Sequence, residues 1–204
     1  MTMTPRENSA DGVEVELRDE SRAVIRPIRP EDKQALLAVF ERLSEDSRYK
    51  RFLTPMERLS SSQLAYLTEV DHRDHEALIA YDMGTSDAIG VGRYVREAGG
   101  DRAEAAVTVA DDWQGRGLGT ALTRILAGRA VENGIGCFTA LLLADNREMV
   151  DLLAGVGEVE VRSREGEAIL VEVPLAPEVV KEPALRSVLR AVASTGGGLA
   201  KAPG

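Results

Sequence analysis

Apolar and polar residues alternate along Val13-Glu14-Val15-Glu16-Leu17, the spacing of a half-buried strand. Asp19-Glu20-Ser21 reads as a turn, and Ala23 to Ile28 as the returning strand of a hairpin. The period then changes. Arg29-Pro30-Glu31-Asp32 opens a helix, with proline and acids in its first turn, and Leu36, Leu37, Phe40 and Leu43 continue it. Ser47 to Leu53 and Ser60 to Leu67 are expected to be short helices. Glu76 to Tyr81, Ala88 to Val95 and Ala103 to Ala110 are expected to be strands, joined by the turns 82–87 and 99–101. Gly117 to Val131 carries the strongest helical pattern, with Leu118, Leu122, Ile125 and Leu126 on one face. Asn133-Gly134 ends it. Phe138 to Leu143 is a nearly continuous apolar run of strand length, expected to be covered on both faces. Asn146 caps a helix through Leu153, and Glu158–Arg162 with Ala168–Val173 makes a closing hairpin.

This order predicts an α/β (α+β) fold: a mixed, mostly antiparallel central sheet of six to seven strands flanked by helices. Three parts are expected: a flexible arm over 1–11, one domain over 12–175, and a tail over 176–204. In the tail, Leu185, Val188, Leu189 and Val192 have the spacing of a short amphipathic helix, and a Gly- and Ala-rich, disordered end follows.

Composition narrows the classes. No apolar run approaches the ~20 residues of a membrane span, and residues 1–12 lack the apolar stretch of a secretory signal, so a cytoplasmic location is expected. The formal net charge of −9 disfavours nucleic acid and mildly favours a cationic partner. One cysteine, Cys137, excludes an intrachain disulfide. The two histidines, His72 and His75, fall short of a zinc ligand set, so no metal is expected.

The informative chemistry lies in Val107 to Thr120. A strand enters a loop, and the loop opens the best-patterned helix. Gly115, Gly117 and Gly119 remove Cβ atoms where a ligand can approach the backbone. The free amides of the first helical turn, with the helix dipole, form an anion site, and two linked phosphates suit it. Arg116 adds positive charge at the rim. The glycine spacing does not fit the dinucleotide fingerprint, and no lysine follows Gly119 as the ATP loop requires.

Gln114-Gly115-Arg116-Gly117-Leu118-Gly119 resembles the Gln/Arg-x-x-Gly-x-Gly/Ala signature of the GNAT acetyltransferase superfamily. The element order from about Val13 to Pro174 is similar to the same fold. Residues 25–32, 47–52 and 91–95 resemble the branch of bacterial protein lysine acetyltransferases. The resemblance implies that acetyl-CoA is a co-substrate. The amides of Gly115, Arg116, Gly117, Leu118, Gly119 and Thr120, after Gln114, would hold its pyrophosphate. Val107, Thr108 and Val109 would hydrogen-bond its pantetheine arm as an added strand. Asn146 would lie near that arm, or serve only as a helix cap.

An attacking amine must lose a proton, and a lysine amine with a reference pKa of ~10.4 is mostly charged at neutral pH. A carboxylate beside the acetyl group can take that proton. The resemblance points to Glu104, on the strand that would carry the pantetheine arm. The tyrosine acid of many relatives is missing, because the helix from Asn146 to Leu153 has none. Cys137 reads as a small strand residue rather than a nucleophile. The expected function is acetyl transfer to a primary amine, a protein lysine by branch resemblance, in a ternary complex. A catalytically silent acyl-CoA-binding module and a small-molecule amine acetyltransferase stay open as alternatives. Acceptor, acyl length, general acid, regulation and oligomeric state are left open.

Overall fold

The computed structural model describes residues 12–175; the arm and the tail lie outside them. Eight strands form one sheet, one more than the upper expectation. They are β1 (Val13–Glu16), β2 (Arg22–Pro27), β3 (His75–Asp82), β4 (Ala88–Arg96), β5 (Arg102–Val109), β6 (Cys137–Leu143), β7 (Glu160–Glu165) and β8 (Ala168–Pro174). Their spatial order is β1-β2-β3-β4-β5-β6-β8-β7. All neighbours are antiparallel except β5 and β6. The last hairpin supplies the outer strands on that side, and β7 is an edge strand with charged, exposed positions, as a free edge needs.

Five helices cover the sheet: α1 (Lys33–Glu41), α2 (Glu45–Phe52), α3 (Ser61–Thr68), α4 (Leu118–Glu132) and α5 (Arg147–Ala154). β3 and β4 are buried along most of their length because helices lie on both faces. On one face Leu78, Ala80, Ile89, Ala103 and Ala105 pack against Leu118, Leu122 and Leu126 of α4. On the other, Val24, Ile79, Tyr81 and Val91 pack against Leu36 and Val39 of α1 and Leu64 of α3. Local signals set the helix starts. The Ser44 hydroxyl accepts from Ser47 N–H ahead of α2, and Ser60 and Gln63 form a reciprocal cap on α3.

Asp32 holds its expected place at a helix start, its Oδ2 accepting from Arg29 N–H at 2.7 Å, and it takes a second role besides. It ends a 3-10 turn over Pro30–Asp32 and is buried. Arg26 Nη1 and Nη2 donate to its two oxygens at 2.7 Å each, and Tyr81 Oη donates at 2.8 Å. Burial opposes its charge, but the Arg26 guanidinium holds the Asp32 carboxyl below the usual range.

Candidate active site

β5 and β6 run in parallel for three pairs only: Arg102 with Cys137, Ala103 with Phe138, and Glu104 with Thr139. Beyond Glu104 the strands diverge. Among the described residues the edge of β5 from Ala105 to Val109 that faces β6 has no strand partner, whereas its other edge stays paired to β4. A cavity of about 660 Å3 opens in the fork, within the range of ~300–1,000 Å3 for small-molecule sites. α2, the N-terminus of α4, and α5 wall it. Leu141 on β6 lines it and is 50% exposed, so the strand expected to be covered on both faces is open at this point.

The glycine loop lies at the outer end of that edge. After a 3-10 turn over Asp111–Trp113, Gly115 (φ +73°) and Gly117 (φ +94°) take left-handed conformations before α4 starts. These are positions that favour glycine on backbone grounds. Gly119 has another reason. A Cβ there would lie 3.1 Å from Leu152 Cδ1, so this glycine lets α5 pack on α4. Gly119 also lines the cavity, so the packing of α5 is a further reason for a glycine there. Among the described residues no side chain caps α4, and the amides of Leu118, Gly119 and Thr120 belong to the turn that has no intrahelical acceptor.

The other expected loop residues take distinct places. Gln114 Nε2 donates to Val109 O at 3.2 Å and to Asp111 Oδ1 at 3.0 Å, which clamps the loop to the strand end. The Arg116 guanidinium donates to Asp19 Oδ2 at 3.0 Å and Asp112 O at 2.7 Å, and lies 4.5 Å over the Trp113 ring. It is not among the cavity-lining residues. Leu118 is buried in the core and can offer only its amide. Val107, Thr108, Val109, Gln114, Gly115, Gly117, Gly119, Thr120 and Asn146 all line the cavity. Asn146 also caps α5, accepting from Met149 N–H at 3.2 Å, so cap and cavity wall are one residue.

Glu104 is exposed, lines the cavity, and occupies the last paired position before the fork. Its neighbours Ala103 and Ala105 point to the α4 face and are buried there. The space beside Glu104 comes instead from Ala106, which shares its face and lines the cavity. No tyrosine lines the cavity among the described residues. Cys137 is not among the lining residues, and burial pushes its thiol up.

Several lining residues carried no readable sequence signal. Arg18, from the β1–β2 turn, reaches the loop; its N–H donates to Arg116 O at 2.9 Å. Arg51 and Phe52 come from α2. Segments 47–52 and 91–95 attract notice by resemblance, but neither spacing nor composition assigns a role to Arg51 or Arg93. Near them, His75 Nε2 meets Arg93 Nη1 at 3.2 Å. Burial, and then the Arg93 charge, push His75 down to about 4, so it is neutral at pH 7 and accepts this hydrogen bond. His72 Nδ1 pairs with the buried Glu76 at 2.7 Å. Among the described residues no group of three or more His, Cys, Asp or Glu side chains is placed to hold a metal. No described helix is long and apolar enough to cross a membrane.

The sequence matches the acetyltransferase (GNAT) family over residues 36–157. It is 32% identical over 191 residues to acetyltransferase Pat of Mycolicibacterium smegmatis, covering 88% of this chain and 57% of that protein. The chain thus spans little more than half the length of that relative. It is 36% identical over 148 residues to acetyltransferase PA5475 of Pseudomonas aeruginosa, covering 71% of this chain and 80% of that one. The crystal structure of the GNAT domain of S. lividans PAT superposes with a TM-score of 0.73 at 33% identity, covering 80% of this chain and 97% of that one.

Proposed function

This chain belongs to the acetyltransferase (GNAT) family, and we propose that it transfers an acetyl group from acetyl-CoA to a protein lysine, with Glu104 as the proton acceptor. The observation that carries this reading is the fork: a carboxylate at its vertex, an unpartnered strand edge along one arm, and an uncapped helix start at the far end. The edge from Glu104 to Val109 runs ~17 Å at ~3.4 Å per residue, which separates the anion site from the carboxylate by the length of an extended arm.

Each residue then has a physical task. The amides at the start of α4 receive the pyrophosphate, assisted by the helix dipole. The main chain of Val107 to Val109 receives the amide-bearing arm as a neighbouring strand would. Leu141 and Leu152 cover its apolar parts, and the thioester comes to rest near Glu104. The acceptor amine nitrogen attacks the thioester carbonyl carbon. A C–N bond forms, the C–S bond breaks, and the sulfur leaves with the electron pair. The proton shed by the amine passes to Glu104, directly or through one water. With no tyrosine among the described residues of the wall, solvent at the open mouth protonates the thiolate. A thiol has a reference pKa of ~8.5, so this demand is modest. Protein lysine is favoured over a small amine by the likeness to the Pat acetyltransferases.

Two measurements test the reading. Acetyl-CoA at 100 times its Kd should add ~2.7 kcal/mol of stability in thermal unfolding. A thiol-release assay with lysine-containing peptides should then show turnover. No stabilisation at millimolar acetyl-CoA contradicts the site. Stabilisation without thiol release across many amines favours an acyl-CoA-binding module instead.

A further inference from the structure

Beside the cavity, and sharing Arg51, Phe52, Ala106 and Thr108 with it, lies a small chamber of about 30 Å3 whose remaining walls, Phe40 among them, are apolar apart from Arg93. One water needs ~10–15 Å3 on this scale, so the chamber suits a group the size of a carboxylate rather than a side chain. Two guanidiniums, Arg51 and Arg93, line it. Neither forms an ion pair with a described residue.

Arg93 is 6% exposed and stands directly across from Ala106 in the β4–β5 ladder, one diagonal step from Glu104. It is held in place by His75 and by the Leu67 carbonyl, which accepts from Nη2 at 3.1 Å. Of its five N–H donors, these contacts use two. Arg51 comes from the last turn of α2, and its guanidinium lies 5.0 Å over the Phe52 ring, with no hydrogen bond to another described group. The electrostatics agree with this crowding. Burial, and then Arg51, push Arg93 down to about 9. Burial pushes Arg51 down as well, while Glu104 acts in the opposite direction. Both arginines remain cations at neutral pH.

Two positive charges thus meet one carboxylate, and His75 is neutral. One positive charge stays uncompensated in a place that excludes most water. Buried charges are normally paired, because desolvation is costly. A guanidinium fork also matches a carboxylate in shape.

We propose that this chamber is a carboxylate subsite: Arg51 and Arg93 together receive a carboxylate carried by one of the two substrates, next to the point of acyl transfer. The inference rests on the acyl-transfer reading above and extends it, beyond acetyl-CoA and protein lysine, to substrates that carry a carboxylate. The carboxylate arrives either at the end of a dicarboxylic acyl chain or on the amine acceptor. The chemistry of recognition is the same in both cases.

The test compares matched substrates in the full chain, as wild type, Arg51→Met and Arg51→Lys. In the acyl arm, succinyl-CoA is set against butyryl-CoA. In the acceptor arm, lysine is set against lysine methyl ester, with acetyl-CoA as donor. Wild type should prefer the charged member in one arm by at least ~10-fold in kcat/KM, the scale of one charge-assisted hydrogen bond. Arg51→Met should erase that preference and Arg51→Lys should keep part of it; the arm that responds identifies the source. No preference in either arm, or one that survives Arg51→Met, overturns the proposal. Free succinate is titrated in parallel against thermal unfolding, without CoA. Stabilisation by succinate that Arg51→Met abolishes, in a chain that CoA does not stabilise, would keep the subsite and reject acyl transfer.

Discussion

Arg26 on β2 and Arg93 on β4 lie on the same face of one sheet, two strands apart, and both are nearly out of reach of water. Their surroundings are opposite. Arg26 meets both oxygens of Asp32, and Tyr81 completes the cluster. Arg93 meets a neutral imidazole and a carbonyl, with a second guanidinium near by. The difference teaches how to read a buried charge. Where the chain supplies the counter-charge, the pair belongs to the fold. Where it does not, the charge faces something that arrives from outside, and the cavity tells where.

The comparison breaks most forcefully at Asp32. Asp32→Ala leaves Arg26 buried without its acid and should cost about 3–5 kcal/mol, read as a drop in the urea midpoint. A loss under 1 kcal/mol would mean that the first cluster is not structural. Glu104→Gln tests the other region. It should lower kcat by at least ~10²-fold while leaving the stabilisation by acetyl-CoA in place. Near-wild-type turnover with intact binding removes Glu104 from the proton path.

A smaller effect follows from His75, which borders Arg93. Its folded pKa of about 4 lies below the ordinary 6.5. Between these values the unfolded chain binds a proton that the folded chain does not. Stability therefore declines as pH falls from about 6.5 towards about 4, and is fully present above that window. His75→Gln should flatten this part of the pH–stability curve, and an unchanged slope there would refute the assignment. The smallest effect is expected from Arg51→Met. Removing a crowded charge should leave the unfolding midpoint within about 0.5 kcal/mol of wild type or raise it. A loss comparable to that of Asp32→Ala would erase the contrast between the two regions.

The fold was largely legible because its signals are local. The alternation at Val13–Leu17, the cap at Asn146, and the apolar stripe from Leu118 to Leu126 all act over a few residues. The phosphate-loop candidates were legible for the same reason, since Gly115 and Gly117 announce a backbone need within one turn. At Gly119 a second reason was not legible, because Leu152, which a Cβ there would meet, stands 33 positions later. Arg18, Arg51 and Arg93 were illegible as a set. Arg18 and Arg51 reach the cavity from a hairpin turn and a helix end, Arg51 and Arg93 meet at the smaller chamber, and no spacing in the sequence encodes either meeting. Asp32 was legible as a helix-start acid, but its buried partners were not, since Tyr81 stands 49 positions later.

The open edge of β5 has a consequence for how this chain tolerates change. A substrate that lies along amides and carbonyls is indifferent to most side chains on the strand that presents them. Exchanges among β-branched residues at 107–109 should therefore drift almost silently. Proline is the exception, since it deletes an N–H from the row. Selection on this stretch acts through the backbone, and a sequence comparison would see it chiefly as a forbidden residue.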